Sequence, residues 1–195
     1  MKTKTFLSIM LAILVSATTF AQDYEKRFGV ELNGDVSFVS SDLAGANLNT
    51  GLGFETILQY RFMPFTSVYG GWGYSHFNAD DSFAGSDTDF EQTGYILGLQ
   101  FKHPIKTSPV SYFLRAGLLY SHIEIENNNG EIISDTGHGV GWQAAAGIEI
   151  ALGKNWSLAP GLKYNWLSGE TDFENAKYQL DHRTVSARIG IIKRF

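Results

Sequence analysis

The chain has 195 residues, no cysteine, 21 glycines, 4 prolines and 14% aromatic residues, with a net charge of -5 and a mean hydropathy of -0.10. The lack of cysteine excludes a disulfide scaffold, and the acidic balance argues against nucleic-acid binding. Beyond the N-terminal segment no apolar run approaches the ~20 residues of a helical membrane span.

The first residues predict a targeting segment. Lys2 and Lys4 form a basic start, Phe6 to Val15 is an apolar run broken only by Ser8, and Thr19-Phe20-Ala21 offers small residues at both recognition positions. This is the pattern of a cleavable secretory signal peptide. Cleavage is expected after Ala21, leaving 22–195 as one domain. No lipobox cysteine is present, so no lipid anchor is expected.

From Phe28 onward the hydrophobic period is two, the period of a β-strand. Phe28, Val30, Leu32, Val36 and Phe38 share one face, and Glu31, Asn33, Asp35 and Ser37 the other. Seven further segments repeat the division. The second (about 51–62) sets Leu52, Phe54, Leu58, Tyr60 and Phe62 against Gly53, Glu55, Gln59 and Arg61. The third (about 67–77) sets Val68, Trp72 and Tyr74 against Ser67, Gly71, Gly73 and Ser75. The fourth (about 92–103) sets Tyr95, Leu97, Leu99 and Phe101 against Gln92, Gly98, Gln100 and Lys102. The fifth (about 110–123) sets Val110, Tyr112, Leu114, Leu118 and Tyr120 against Ser111, Arg115 and Ser121. The sixth (about 139–152) sets Val140, Trp142, Ile148 and Ile150 against Gln143, Gly147 and Glu149. The seventh (about 156–166) sets Trp156, Leu158, Leu162, Tyr164 and Trp166 against Ser157, Gly161, Lys163 and Asn165. The eighth (about 182–195) sets Val185, Ala187, Ile189, Ile191 and Phe195 against Ser186, Arg188, Gly190 and Arg194.

Alternation alone fits a soluble barrel as well as a membrane one. Three features favour lipid outside: glycines and charges fill the polar face, aromatics gather near strand ends as interfacial girdles, and the strands reach ~11 residues. The predicted fold is all-β, a transmembrane eight-stranded antiparallel up-and-down barrel. Short connections at Met63-Pro64-Phe65, His103–Pro109 and Gly153-Lys154-Asn155 are expected periplasmic turns. The longer ones, 39–50, 78–91, 124–138 and 167–181, are expected external loops. Both termini are then periplasmic. Pro160 fits poorly within the seventh strand, where it removes a ladder donor; a bulge there is one accommodation.

With these residues in place the chain resembles the OmpA/OmpX-type small outer-membrane β-barrels, over residues 27–195. The most specific element is the outward row Val185, Ala187, Ile189, Ile191 and terminal Phe195. It is similar to the insertion signal that the barrel-assembly machinery reads on a last strand. Lys193 departs from that pattern, where an apolar residue is usual. Phe195 is expected in a girdle with Tyr60, Phe62, Phe101, Tyr112 and Trp156. The resemblance implies a monomer among outer-membrane lipids and lipopolysaccharide, without a peptidoglycan-binding domain.

An eight-stranded interior is only wide enough to be filled by side chains. Charges there must be paired or hydrogen-bonded. Glu31, Glu55, Arg61, Lys102, Arg115, Glu149, Lys163 and Arg188 are therefore expected to form a lumen charge network. Glu31 and Arg188 stand at similar heights on neighbouring strands, and Glu55 and Arg115 lie near mid-height. The predicted loops carry most remaining acids, among them Asp80, Asp81, Asp87, Asp89, Glu91, Glu124, Glu126 and Glu170. Two readings stand: recruitment of divalent cations that bridge to lipopolysaccharide or a partner, or a plain solvated acidic surface. Asp87-Thr88-Asp89-Phe90-Glu91 lacks the full calcium-loop spacing, so no specific metal site is expected.

Catalysis is not expected. Ser121 faces inward while His122 and Glu124 face outward, and Ser75 and His76 divide the same way. His138 and His182 lie in or beside acidic loops, which leaves open a rim His–Asp pair with Asp135 or Asp181. No cofactor motif is present. The sequence thus predicts a non-enzymatic outer-membrane protein with a structural or surface-interaction role. A narrow channel and a lipid-A-modifying or proteolytic barrel enzyme stand as alternatives.

Overall fold

The computed structural model describes residues 26–40, 46, 48–173 and 176–195. The predicted signal segment and some of the first loop lie outside the described residues. Nine strands follow in chain order: β1 (Phe28–Val39), β2 (Gly51–Met63), β3 (Thr66–Ser82), β4 (Gly85–Pro104), β5 (Val110–Glu126), β6 (Ile132–Asp135), β7 (Gly139–Gly153), β8 (Trp156–Phe173) and β9 (Ala176–Arg194). Eight of them, all but β6, form a closed antiparallel barrel. β1 closes on β9 from Gly29 opposite Arg194 to Val39 opposite Thr184. Closure leaves the barrel wall without an unpaired edge, which hydrocarbon would not satisfy. β6 is an excursion of the β5–β7 connection and pairs with the far end of β5.

The two faces have opposite character. Leu32, Leu52, Leu97 and Leu118 stand 60–65% exposed on the outside, while Glu31 on the inside is fully buried. A continuous apolar exterior of this extent needs lipid around it. Aromatics border the band at both ends. Phe28, Phe62, Phe101, Tyr112, Trp156 and Phe195 lie at the end holding the termini, and Tyr95, Tyr120 and Trp142 toward the other. No helix among the described residues is long and apolar enough to cross a membrane; this barrel would cross with its strands.

Two expected loops are not loops. Residues 78–91 and 167–181 continue as paired strands, through Ser82 opposite Gly85 and Phe173 opposite Ala176. From Tyr74 to Ser82 the β3–β4 hairpin climbs roughly 25 Å along the strand, at about 3.3 Å per residue. Its tip closes tightly because Gly85 takes φ 125°, which favours glycine, and Ser82 Oγ accepts from Ala84 N at 3.1 Å. In these extensions the apolar phase reverses. Phe77, Ala79 and Phe90 turn inward while Asn78, Asp80 and Asp89 turn outward, the sense of an ordinary soluble β protein.

Pro160 is accommodated without a bulge. The β7–β8 pairing is interrupted beside it, between Gly147–Gly161 and Ile150–Leu158, and resumes in the same register. On its other side Pro160 stays aligned with Ile189 of β9. The register shift of this strand pair falls instead at Ala151/Gly153, beside the turn.

Candidate functional site

The interior is the candidate site, and it is layered. At the end holding the termini, Glu149 of β7 accepts two hydrogen bonds from Arg194 of β9, at 2.5 and 2.6 Å, and pairs with Lys102 of β4 at 3.3 Å. Arg194 also donates to Ser157 Oγ at 3.1 Å. Above this lies a small apolar layer of Phe113, Ala159 and Ile192.

Two ionic groups occupy the middle. Glu31 of β1 receives Arg115 from across the lumen, Arg188 from neighbouring β9 at 2.5 Å, and Gln59 Nε2 at 3.0 Å. Arg115 is held further by Gln100 at 2.6 Å, and its guanidinium lies 5.1 and 5.3 Å from the rings of Phe113 and Tyr69. Arg188 also reaches Asn33. In the second group Lys163 Nζ donates to Asp35 and Glu55, both at 2.8 Å. Gln143 caps Glu55 at 3.0 Å, and Ser37 caps Asp35 at 2.7 Å. Three acids (Glu31, Asp35, Glu55) thus meet three bases (Arg115, Lys163, Arg188), all buried. Pairing of this kind is what burial of charge in a narrow barrel requires.

The structure brings most of the predicted residues together. Glu31 and Arg188 meet, but Arg115 goes to Glu31 and not toward Glu55, whose cation is Lys163. Lys102 and Glu149 form a separate group nearer the termini. Arg61 stands half-buried at that same end of β2, opposite Ser67. Asp35, which alternation alone turns inward, is a full member of the network. The outward row of Val185, Ala187, Ile189 and Ile191 lies on the lipid face of β9, and Phe195 follows directly after the strand, exposed, with its N–H donating to the Phe28 carbonyl at 2.9 Å. Lys193 places its ammonium 4.7 Å from the Trp156 ring and donates to the Lys154 carbonyl at 3.1 Å.

A small cavity of about 20 Å³, lined among others by Glu55, Ser75, Gln92, Ser121, Lys163 and Asn165, lies above the ionic layers. It has room for about one water. Over it sits a plug that sequence reasoning missed: Ala46, Phe77, Ala79, Phe90, Ile123, Ile125, Leu167 and Leu180, with Phe83 and Tyr178 packed against them. His182 belongs to this plug, edge-on to Phe77 at 5.0 Å, and not to a rim pair; its neighbour Asp181 faces outward and pairs with Arg183 at 2.5 Å. Arg183 and Asp181 mark where the apolar band has ended on β9. Burial there pushes the His182 imidazolium down to about 4. The signal for the plug was present as inward apolar residues within an otherwise polar phase. Asp135 likewise pairs with His122, at 3.2 Å, and not with His138.

The family model for the outer membrane protein beta-barrel domain matches residues 7–190. The chain belongs to this family. Members of the family reside in the outer membrane, which is therefore the location of this barrel. Among solved structures, Neisserial surface protein A is similar at a TM-score of 0.65 and 19% identity, covering 86% of this chain and 97% of that one. Outer membrane protein AlkL, solved in lipid bilayers, is similar at 0.61 and 14%, covering 90% and 93%. OprG from Pseudomonas aeruginosa is similar at 0.58 and 13%, covering 87% and 97%. At these identities the likeness is one of fold. No curated protein matches the chain significantly.

Proposed function

We propose that this protein is a closed, non-enzymatic outer-membrane barrel with both termini periplasmic, acting as a structural or adhesive element through its tall, acidic hairpins. The observation that supports this reading is the filled lumen. An ion crossing it would have to break open both buried ionic groups and then pass an apolar plug in which Phe77 and Phe90 are about 1% exposed. Both steps cost several kcal/mol, the first by leaving charges unpaired and the second by desolvating the ion. The outward residues at that end are instead open to water: Asn78, Asp80, Asp87 and Glu131 are exposed, and Asp89 and Glu126 are half-buried beside them. The inward direction of Ser75 and Ser121, against outward His76 and His122, supports the absence of a serine–histidine site.

Planar-bilayer recording of the purified, folded barrel tests the reading. Quiet traces are expected. Stable unitary conductance steps would overturn it in favour of a narrow channel. Altered lipid A or cleaved substrate in the presence of the pure protein would overturn it in favour of an enzyme.

A further inference from the structure

On the outside of the barrel, just beyond the aromatic border, lies a group of side chains that the filled lumen does not involve. His122 and Glu124 are outward neighbours two residues apart on β5, and Asp135 of β6 is registered directly opposite Glu124. His122 Nδ1 lies 3.2 and 3.4 Å from the two oxygens of Asp135 and 3.8 Å from Glu124 Oε1. One donor atom from each residue falls within 4.8 Å of the other two; among the described residues, no other such group of three is found.

We propose that His122, Glu124 and Asp135 form a binding site for a divalent transition metal of the zinc class. Tetrahedral coordination at about 2.0–2.1 Å sets donor atoms about 3.3 Å apart. The His122–Asp135 separation of 3.2 Å already meets that value, Glu124 lies 3.8 Å from His122, and the two carboxylates, within 4.8 Å of each other, close on the ion by side-chain rotation. One imidazole nitrogen and two carboxylates are a donor set for zinc and its neighbours, whereas calcium and magnesium take oxygen alone. Three protein ligands leave a fourth position facing outward, for water or an anionic group.

Two further features fit this assignment. The His122 ring is oriented by stacking on His138, at 4.5 Å between centroids and 13° between planes, and His138 rests in turn against Tyr120 at 4.8 Å. His138 is thus a positioning residue that keeps Nδ1 turned toward the carboxylates, the role that outer partners play around metal-ligating histidines. Second, Glu91, Glu124 and Asp135 stand directly opposite one another across β4, β5 and β6. Like charges in register destabilise a sheet, and a bound cation relieves them. Without metal, Nδ1–H donating to Asp135 holds the arrangement; the Nε2–H tautomer frees Nδ1 to ligate. The metal would clamp the short β6 onto β5.

Calorimetric titration of the full barrel, folded in detergent micelles, with Zn²⁺ and separately with Ca²⁺ tests the site. Saturable 1:1 Zn²⁺ binding is expected, with weaker Ca²⁺ binding, and Co²⁺ should give the intense visible bands of a tetrahedral centre. His122→Ala and Asp135→Asn should each weaken Zn²⁺ binding by more than about tenfold, the low end of what losing even an outer-shell partner costs. His76→Ala, which removes another outward histidine of the same belt, should leave it unchanged. Heat-modifiable gel mobility establishes that each variant is folded, and Asp135→Asn on the exposed connection serves should His122→Ala not fold. Absence of saturable Zn²⁺ binding, equal binding of Ca²⁺, or equal weakening by His76→Ala overturns the proposal in favour of a diffuse acidic surface.

Discussion

Glu31→Gln should be among the most damaging single substitutions in this barrel. The Glu31 carboxylate is fully buried and is shared by Arg115 and Arg188, with Gln59 as a third donor. At an effective dielectric of about 20, each charge pair near 4 Å is worth about 4 kcal/mol. Much of that attraction is offset by desolvation, but removal of one partner leaves the cations buried, at a net cost of about 3–5 kcal/mol. Here two guanidiniums lose one common anion and face each other. An amide in place of the carboxylate can accept from one arginine while turning its own donors toward the other. Urea unfolding of the barrel in lipid vesicles, followed by tryptophan fluorescence and gel mobility, measures the loss. The double variant Glu31→Gln/Arg188→Gln should recover about 2 kcal/mol relative to the sum of the singles, since the residues share one network. A Glu31→Gln loss below about 1 kcal/mol, or strict additivity in the double variant, would refute the reasoning.

Two further expectations concern packing and pH. In the plug, His182 ionises near 4 because of burial, against about 6.5 when unfolded. A lowered folded value means that the unfolded state takes up the proton first. Stability is full above about pH 6.5 and declines as pH falls toward about 4, by about 3 kcal/mol in total. Unfolding midpoints measured across that window should show the decline in the parent and a flatter profile in His182→Leu; parallel profiles would count against the buried neutral imidazole. At Gly98 an added Cβ would lie 2.4 Å from the Ala116 carbonyl and 2.7 Å from Tyr69 Cζ. Gly98→Ala should therefore cost about 1–3 kcal/mol through overpacking. Gly34→Ala, where a Cβ meets nothing within 4 Å, should be tolerated in the same thermal melt.

The faces of the membrane band were legible because a period of two leaves no freedom: once Leu32 points to lipid, Glu31 must point inward. The identity of the ionic partners was less legible. Arg115 and Glu31 sit four strands apart around the wall in either direction, and their meeting depends on the stagger between strands and the width of the lumen. Neither can be counted off a sequence. The hairpin extensions were missed for a different reason. Phe77, Ala79, Phe90, Leu167 and Leu180 alternate as regularly as the rest, but with the apolar side inward, so a search for lipid-facing rows stops at Tyr74 and Trp166. The same residues, read for a change of phase, mark both the extra strand length and the plug. The meeting of His122 with Asp135 depends on the short β6, whose four residues carry no alternation strong enough to stand out.

The reversal of phase along β3 also acts as a depth gauge. Below it a strand wants hydrocarbon on its outer side, and above it water. Sliding the barrel inward by two residues, about 7 Å along a strand, would bring His76, Glu91 and Glu124 toward the acyl chains. Sliding it outward would lift Leu52, Tyr95 and Tyr120 into water. Ionisable groups on the lipid side become more costly with depth, and stranded apolar area costs about 25 cal/mol per Å². The wall therefore has one preferred immersion, to within about a residue. The height at which the hairpin extensions stand clear of the hydrocarbon is therefore written into the chain itself.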